Sequence, residues 1–422
     1  MIQHGYTEGI FEFCYFEITE PSMLLELLYL NELPPPEKTI AKVMFFIHTS
    51  LPGIKHYCQQ LYCQLKTTMN LKVIILIATF IAKAAICNAQ TASEVYSQNK
   101  EANSYYIKAL DYIKIGSPRN GGSVDSLLIA VQWLEKAVSA DPLFVTAYIE
   151  LCKTYWLFDF SYPNFPKYNS SAVVILPKAK EAIYKALQID STSSEAYSQL
   201  GRMNKNYEYK WDEALKNYAK AIQYDSTNAS NYASYGETLA LKGKWDEAQK
   251  WINKANKISP TDSRVLLTTG IYYYWKRDYE TSNEYLSKIN PQTWAKTFFS
   301  GLNNIANNKA DKAVEMLKTL YPDFEHYDGG SKALLAYALI KNGQIKEARK
   351  ILKRIEELNQ VVEYRSAVCY AALGEYDKAF TLLEAYFRRQ GNWMTWLKYD
   401  KAWHPIRKKK RFQELIRKMA FE

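Results

Sequence analysis

The sequence predicts an all-α chain folded as a solenoid of antiparallel helix pairs, about eight of them. The first observation behind this is a pattern of small and apolar residues written twice between Ser194 and Pro260. One copy runs Tyr197, Leu200, Gly201, Ala214, Tyr218, Ala221, and the other Tyr232, Gly236, Ala248, Ile252, Ala255, Pro260. Gly201 to Gly236 is 35 residues, and Ala214 to Ala248 and Ala221 to Ala255 are each 34, so the period holds inside each helix. A fixed period of this size marks stacked units, each too small to bury its apolar face alone. The second observation is where the small residues fall. Gly201 and Gly236 sit midway along a first helix, and the alanines lie seven apart on one face of a second, so the two helices can approach closely. A Leu at one of these places would overpack the contact, at a cost of roughly 1–3 kcal/mol. The third is composition: 48% of residues are hydrophobic, with only 16 Gly and 14 Pro in 422, which suits packed helices rather than a disordered chain.

Taken in order, residues 1–68 carry no repeat pattern and include Pro34-Pro35-Pro36. Met69-Asn70-Leu71-Lys72, the apolar run Val73 to Ile81, and Ala84 to Gln90 have the layout of a secretory signal peptide with cleavage near Ala89. The expectation is therefore that Met69 is the true start, that 1–68 is a non-native extension from start mis-assignment, and that 69–89 is the leader. That places the mature protein in the periplasm or outside the cell. The alternative is a membrane anchor through 71–87, although the apolar run is shorter than the roughly 20 residues a spanning helix needs. Lipidation of Cys87 is disfavoured by the bulky Ile86 before it.

The repeat array is expected over 93–390. Its first unit has a helix around Asn103 to Ile115, a loop from Gly116 to Ser123, and a second helix with Ala130, Leu134 and Ala137. The second unit begins at Val145 and carries Leu151, Tyr155, Ala179, Ile183 and Ala186. It is lengthened by an aromatic insertion from Phe158 to Ser171, placed either on a binding face or folded back over the end of the array. Units three and four are the two copies above, with a one-residue insertion in Tyr207-Glu208-Tyr209-Lys210-Trp211. Unit five keeps Gly270 and Tyr273 but has Ser282 in the alanine place. Gly301, Ala313 and Leu317 mark unit six, followed by the loop His326 to Ser331. Leu335, Gly343, Ala348 and Leu352 mark unit seven, and Tyr370, Gly374, Ala379 and Leu383 unit eight. Residues 391–422, with Trp393, Trp403, Pro405, Phe412 and Leu415, read as an aromatic and basic cap on the open apolar end.

With its Gly, Ala, Tyr and Pro places, the chain resembles a tetratricopeptide repeat protein. The resemblance implies a right-handed superhelix with a concave groove. Tyr209-Lys210-Trp211-Asp212, the ending Leu397-Lys398-Tyr399-Asp400, Pro405-Ile406-Arg407 and Arg411-Phe412-Gln413-Glu414-Leu415 further resemble one bacterial group. This is the tetratricopeptide region at the C-terminal side of winged-helix transcriptional regulators and adenylate-cyclase-like proteins, where it implies a sensing or partner-binding module.

Catalytic and metal signals are absent from the sequence. After Ala89 there are two histidines, His326 and His404, and two cysteines, Cys152 and Cys369, lying in different units. Cys152 occupies the place that Gly201 and Gly236 hold, which reads as packing. No P-loop, GxSxG or GxGxxG occurs. The expectation is a chain that is not an enzyme and holds no cofactor. The net charge of +10 is spread too thinly over the length to indicate nucleic acid. Its one dense run, Arg407, Lys408, Lys409, Lys410 and Arg411, suits either peripheral contact with a lipid headgroup surface or a solvated cap.

The remaining candidate is the groove that the family resemblance implies. Its places, the second, fifth, ninth and twelfth of each first helix, include Ser198, Arg202 and Lys205, then Ser230, Ala233 and Glu237, then Arg264, Leu267, Ile271 and Tyr274. Relatives that bind chaperone C-termini use Lys and Asn at fixed places. Here Ser198, Arg202, Ser234, Arg264 and Thr268 stand there, which disfavours that partner. The expected function is a non-enzymatic, exported scaffold that binds a protein or extended peptide through Ser198, Arg202, Lys205, Glu237, Arg264, Ile271 and Tyr274. The alternative is a sensor or regulatory subunit that acts through a separate effector protein.

Overall fold

The computed structural model describes residues 96–116, 124–161, 172–289, 294–320, 329–358 and 362–419. The expected leader, the segment before it, the loop aromatics Tyr162 to Tyr168 and His326 lie outside these residues. The described residues belong to one unit, Tyr96–Glu422. They form seventeen α-helices and no strand. The helices are α1 (Lys100–Gly116), α2 (Val124–Ala140), α3 (Val145–Ser161), α4 (Ala172–Ile189), α5 (Ser194–Asn206), α6 (Trp211–Tyr224), α7 (Ala229–Leu241), α8 (Trp245–Ile258) and α9 (Ser263–Trp275). They continue with α10 (Tyr279–Ser287), α11 (Trp294–Ala306), α12 (Ala310–Leu320), α13 (Gly329–Lys341), α14 (Ile345–Glu357), α15 (Glu363–Ala372), α16 (Tyr376–Arg388) and α17 (Lys410–Lys418). Helices α1 to α16 pack as eight consecutive pairs, the all-α solenoid that the period predicts.

Each pair is closed by the small residues. A Cβ on Gly236 would lie 2.8 Å from Ile252 Cγ1 and 3.0 Å from the Ala248 carbonyl oxygen, so α7 touches α8 where a side chain has no room. In an open helix, Gly→Ala usually stabilises by about 0.4–1 kcal/mol. Here the contact reverses the sign, and Gly236→Ala is expected to lower the midpoint of thermal unfolding followed by circular dichroism. The turn between the helices of a pair carries one residue with positive φ: Tyr209, Gly243, Arg277, Asn308, Gly343 and Gly374 in units three to eight. Gly243 adopts φ +78° freely, whereas Tyr209 holds φ 54° at a steric cost, and its ring has a use described below. Between units, Asp225 and Ser259 end α6 and α8. Asn228 and Asp262 then cap the next helices, Asp262 accepting from the amides of both Arg264 and Val265.

Two local expectations change. The aromatic insertion does not begin at Phe158, because α3 runs through Ser161 and Phe158 is a buried part of it. Likewise Gly329 to Ser331 form the first turn of α13 rather than loop. Unit five has a physical reason for its serine. Ser282 is buried, its hydroxyl donates to the Gly270 carbonyl at 2.6 Å, and it accepts from Asn303 Nδ2 at 2.9 Å, tying the unit to its neighbour.

The curvature follows from which helices meet. First helices of successive units, α3 with α5, α7 with α9, α11 with α13 and α13 with α15, pack against one another, and second helices make no comparable contact. Elements on the inside of a curve are the ones brought together, so the first helices form the inner wall.

Candidate binding trough

The chain beyond α16 decides how much of that wall is open. It turns through two short 3-10 helices, Asn392–Trp396 and Lys401–Trp403, and does not stop at unit eight. The first packs on α5, and the second packs on α15. Tyr209 donates its hydroxyl to the Gly391 carbonyl at 3.0 Å across 182 residues of sequence, and its ring stacks on Phe387. Tyr399 donates to the Leu241 carbonyl at the end of α7 at 3.1 Å, and Lys401 Nζ donates to the Ala306 carbonyl at the end of α11 at 2.7 Å. Orphan carbonyls at helix C-termini thus receive donors from one strap laid across several units.

The strap is held by a buried charge and by aromatic rings. Asp400 is fully buried. It accepts from Tyr274 Oη at 3.0 Å and from its own Ala402 amide at 2.9 Å, and faces Arg365 Nη1 at 3.4 Å. Arg365, 2% exposed, lies among the rings of Trp393, Phe298 and Tyr364, at 4.5, 5.2 and 5.3 Å. Burial first, and then the negative charge of Asp400, push Tyr274 well above the ordinary tyrosine range, so it stays a neutral donor. Trp396 packs on Tyr274, Trp275 and Phe299, and Trp403 donates Nε1–H to the Tyr364 hydroxyl at 2.7 Å. Rather than a cap on the last unit alone, this segment reaches back to unit three.

The sequence-chosen residues therefore divide. Tyr274 lies beneath the strap at 5% exposure, and half-buried Ile271 packs against the same core. Tyr274 is therefore not offered to a partner while the strap is in place. Lys205, also buried, is ion-paired with Glu237 across α5 and α7. Ser198 and Arg202 on α5 are half-buried, and Arg264 at the start of α9 is exposed. The Arg202 guanidinium lies over the Trp156 ring of α3 at 5.8 Å. Trp156, Ser198, Arg202, the Lys205–Glu237 pair and Arg264 thus stand on four successive first helices, α3, α5, α7 and α9. Trp156 is itself buried, at 2% exposure, and stacks on Tyr207, so its ring serves packing. Asp400 and Arg365 were missed because repeat spacing carries no information on where a terminal segment lands.

Among the described residues, no group of three or more His, Cys, Asp and Glu is placed to hold a metal, and no helix is long and apolar enough to cross a membrane. Desolvation raises the thiols of Cys152 and Cys369 far above their ordinary range, and Cys369 donates Sγ–H to the Ala333 carbonyl at 3.2 Å. Both are expected to resist a thiol reagent at neutral pH in the folded chain and to react on unfolding, as mapped peptide by peptide in mass spectrometry. The basic run is partly engaged. Arg407 donates to the Lys398 and Asp400 carbonyls, Arg411 pairs with Glu384 at 2.9 Å, and Lys409 lies over Tyr376 at 4.2 Å. Lys408 and Lys410 are exposed.

A family model of the tetratricopeptide repeat matches residues 207–268 and 304–368, and a second such model matches 362–392. Those segments carry tetratricopeptide repeats. No curated protein matches it. Among solved structures it is similar to PilW, a widely conserved type IV pilus biogenesis factor, at 16% identity and TM-score 0.41, over 54% of this chain and 97% of that one. It is similar to yeast Tom70 at 16% identity and TM-score 0.45, over 87% and 86% of the two chains. It is also similar to a tetratricopeptide repeat protein from Parabacteroides merdae at 12% identity and TM-score 0.44, over 65% and 99%. Likenesses at this level assign no partner. Tetratricopeptide arrays are as a class protein-binding and generally non-enzymatic.

Proposed function

We propose that this tetratricopeptide protein is an exported, non-enzymatic scaffold that grips another protein or an extended peptide on the inner wall of its array. The observation that carries the reading is a set of solvent-accessible polar side chains on successive first helices. Half-buried Ser198 and Arg202 on α5, half-buried Glu237 on α7 and exposed Arg264 on α9 make a polar surface suited to an extended chain. Export rests on the leader-like layout from Met69 to Gln90. A photo-crosslinking residue at Ser198, introduced in the native host, is expected to capture a discrete partner in the cell-envelope fraction, while the same residue at exposed Glu213 on the outer helix α6 captures none. Equal capture at both places, or none at Ser198, removes the trough from the reading. The ending Leu397-Lys398-Tyr399-Asp400 favours a second reading, a sensor subunit working through a separate effector. It requires the captured partner to be a regulator or a membrane kinase.

A further inference from the structure

We propose that the C-terminal end of the array carries a lipid-facing patch, Lys408, Lys409, Lys410, Arg417 and Lys418, that holds the protein reversibly on an anionic phospholipid surface. The inference concerns the last helix and the residues leading into it, and does not rest on the inner wall. Residues 401–418 hold eight Lys and Arg against one acid, Glu414. Three of the eight have partners inside the protein. Lys401 donates to the Ala306 carbonyl, Arg407 to the Lys398 and Asp400 carbonyls, and Arg411 pairs with Asp377 and Glu384 of α16. The other five are exposed, and among the described residues none has a carboxylate within ion-pair distance.

Helix α17 puts them on one surface. Phe412, Leu415 and Met419, at i, i+3 and i+7, are buried against the array, so the opposite face carries Lys410 and Arg417 with Lys418 beside them. Lys408 and Lys409 lead directly into that face. The stability of α17 does not account for the three lysines. They stand at its N-terminal end, where the helix dipole disfavours cations, and Lys409 at the cap position makes no side-chain cap hydrogen bond. Like charges this close also repel one another. A negative surface relieves both costs. The chemistry of that surface follows from what the patch lacks. Trp403 and Phe412 are buried, and the Tyr376 ring lies under Lys409 at 4.2 Å, so no ring is free for bases to stack on and the outward face of a helix offers no groove. Phospholipid headgroups need neither, since each can meet a single cation in a plane. Phe412, Leu415 and Met419 are spent in the core and are not free to enter the acyl layer as an interfacial helix would. The contact is therefore electrostatic, and salt should abolish it.

The test is co-sedimentation of the full chain with phosphatidylcholine vesicles and with vesicles that also carry about 30% phosphatidylglycerol. The expected result is binding at least tenfold tighter to the second kind, lost in about 0.5 M sodium chloride. Each cation near such a surface is worth about fivefold in binding, so Lys408→Gln, Lys410→Gln and Arg417→Gln together should weaken it by about thirtyfold or more. Helix content by circular dichroism should not change. Lys220→Gln, Lys254→Gln and Lys257→Gln, which remove the same charge from exposed places on α6 and α8, should change binding less than threefold. Inorganic phosphate should displace no more protein than sodium chloride of equal ionic strength. Any binding of a labelled single-stranded DNA should not depend on the three cations. Equal binding to both kinds of vesicle, binding that survives the salt, or equal loss in the two triple variants would each overturn the inference. So would displacement by phosphate at equal ionic strength, or a DNA affinity that falls with the same three residues as far as the vesicle affinity does.

Discussion

Asp400→Ala is expected to destabilise the C-terminal half of the array by about 3–5 kcal/mol, the usual result of stripping one member from a buried ion pair. The substitution leaves the Arg365 guanidinium at 2% exposure without a counter-charge, and Tyr274 without its acceptor. The wild-type pair is already only partly satisfied, since Arg365 Nε and Nη2 find no acceptor, so there is no second carboxylate to take over. Repeat arrays unfold unit by unit when an interface weakens. In urea, the variant should therefore show an early transition in tryptophan fluorescence from Trp393, Trp396 and Trp403, followed by a later one near the wild-type midpoint. The double variant Arg365→Met with Asp400→Leu removes both charges together and should recover most of the loss, because replacing a buried pair by apolar groups is often neutral or stabilising. If Asp400→Ala unfolds at the wild-type midpoint, the strap is not held by this charge.

Trp403→Ala carries an expected loss of about 3–5 kcal/mol by a different route, the cavity left when a large buried ring is deleted. Trp403 is fully buried, packs edge-on against Tyr364 at 5.1 Å and lies 6.1 Å from Phe412 of α17, so its removal opens a void shared by unit eight and the final helix. The Tyr364 hydroxyl also loses its donor. Trp403→Phe keeps most of the volume and should lose clearly less, and that ordering separates cavity from hydrogen bond. The check is chemical denaturation of the three proteins side by side. Equal losses for Phe and Ala would assign the effect to the Nε1–H donor instead.

The paired helices were legible in the sequence because what makes them is local. Gly236 against Ile252, and Ala214 or Ala255 in the facing helix, are contacts within one unit, and they repeat at a fixed spacing that composition does not blur. Ser282 shows the limit of that pattern, since a polar residue in the alanine place looks like decay until its bonds to Gly270 and Asn303 are seen. The trough was only half legible. Register put Tyr274 and Arg202 at related inner places, but the strap then covered one and left the other. That outcome depends on contacts such as Tyr209 to Gly391 and Tyr399 to Leu241, 182 and 158 residues apart, for which a 34-residue period has no term. The signal available was excess. Four large aromatic residues, Trp393, Trp396, Tyr399 and Trp403, within one short segment are more than the end of a single helix pair can cover. Tyr209 was a second hint, since a bulky residue in the turn place that Gly243, Gly343 and Gly374 fill in other units implies that its side chain is needed.

Amide hydrogen exchange over 391–407 in the full chain reads the strap directly. If this segment lies across the inner wall from unit three to unit eight, its protected amides should exchange as slowly as those of the inner helices α7, α9 and α15. Exchange at the rate of a free terminus would leave the wall of units three to eight open, and both the restricted trough and the role given to Asp400 would fall with it.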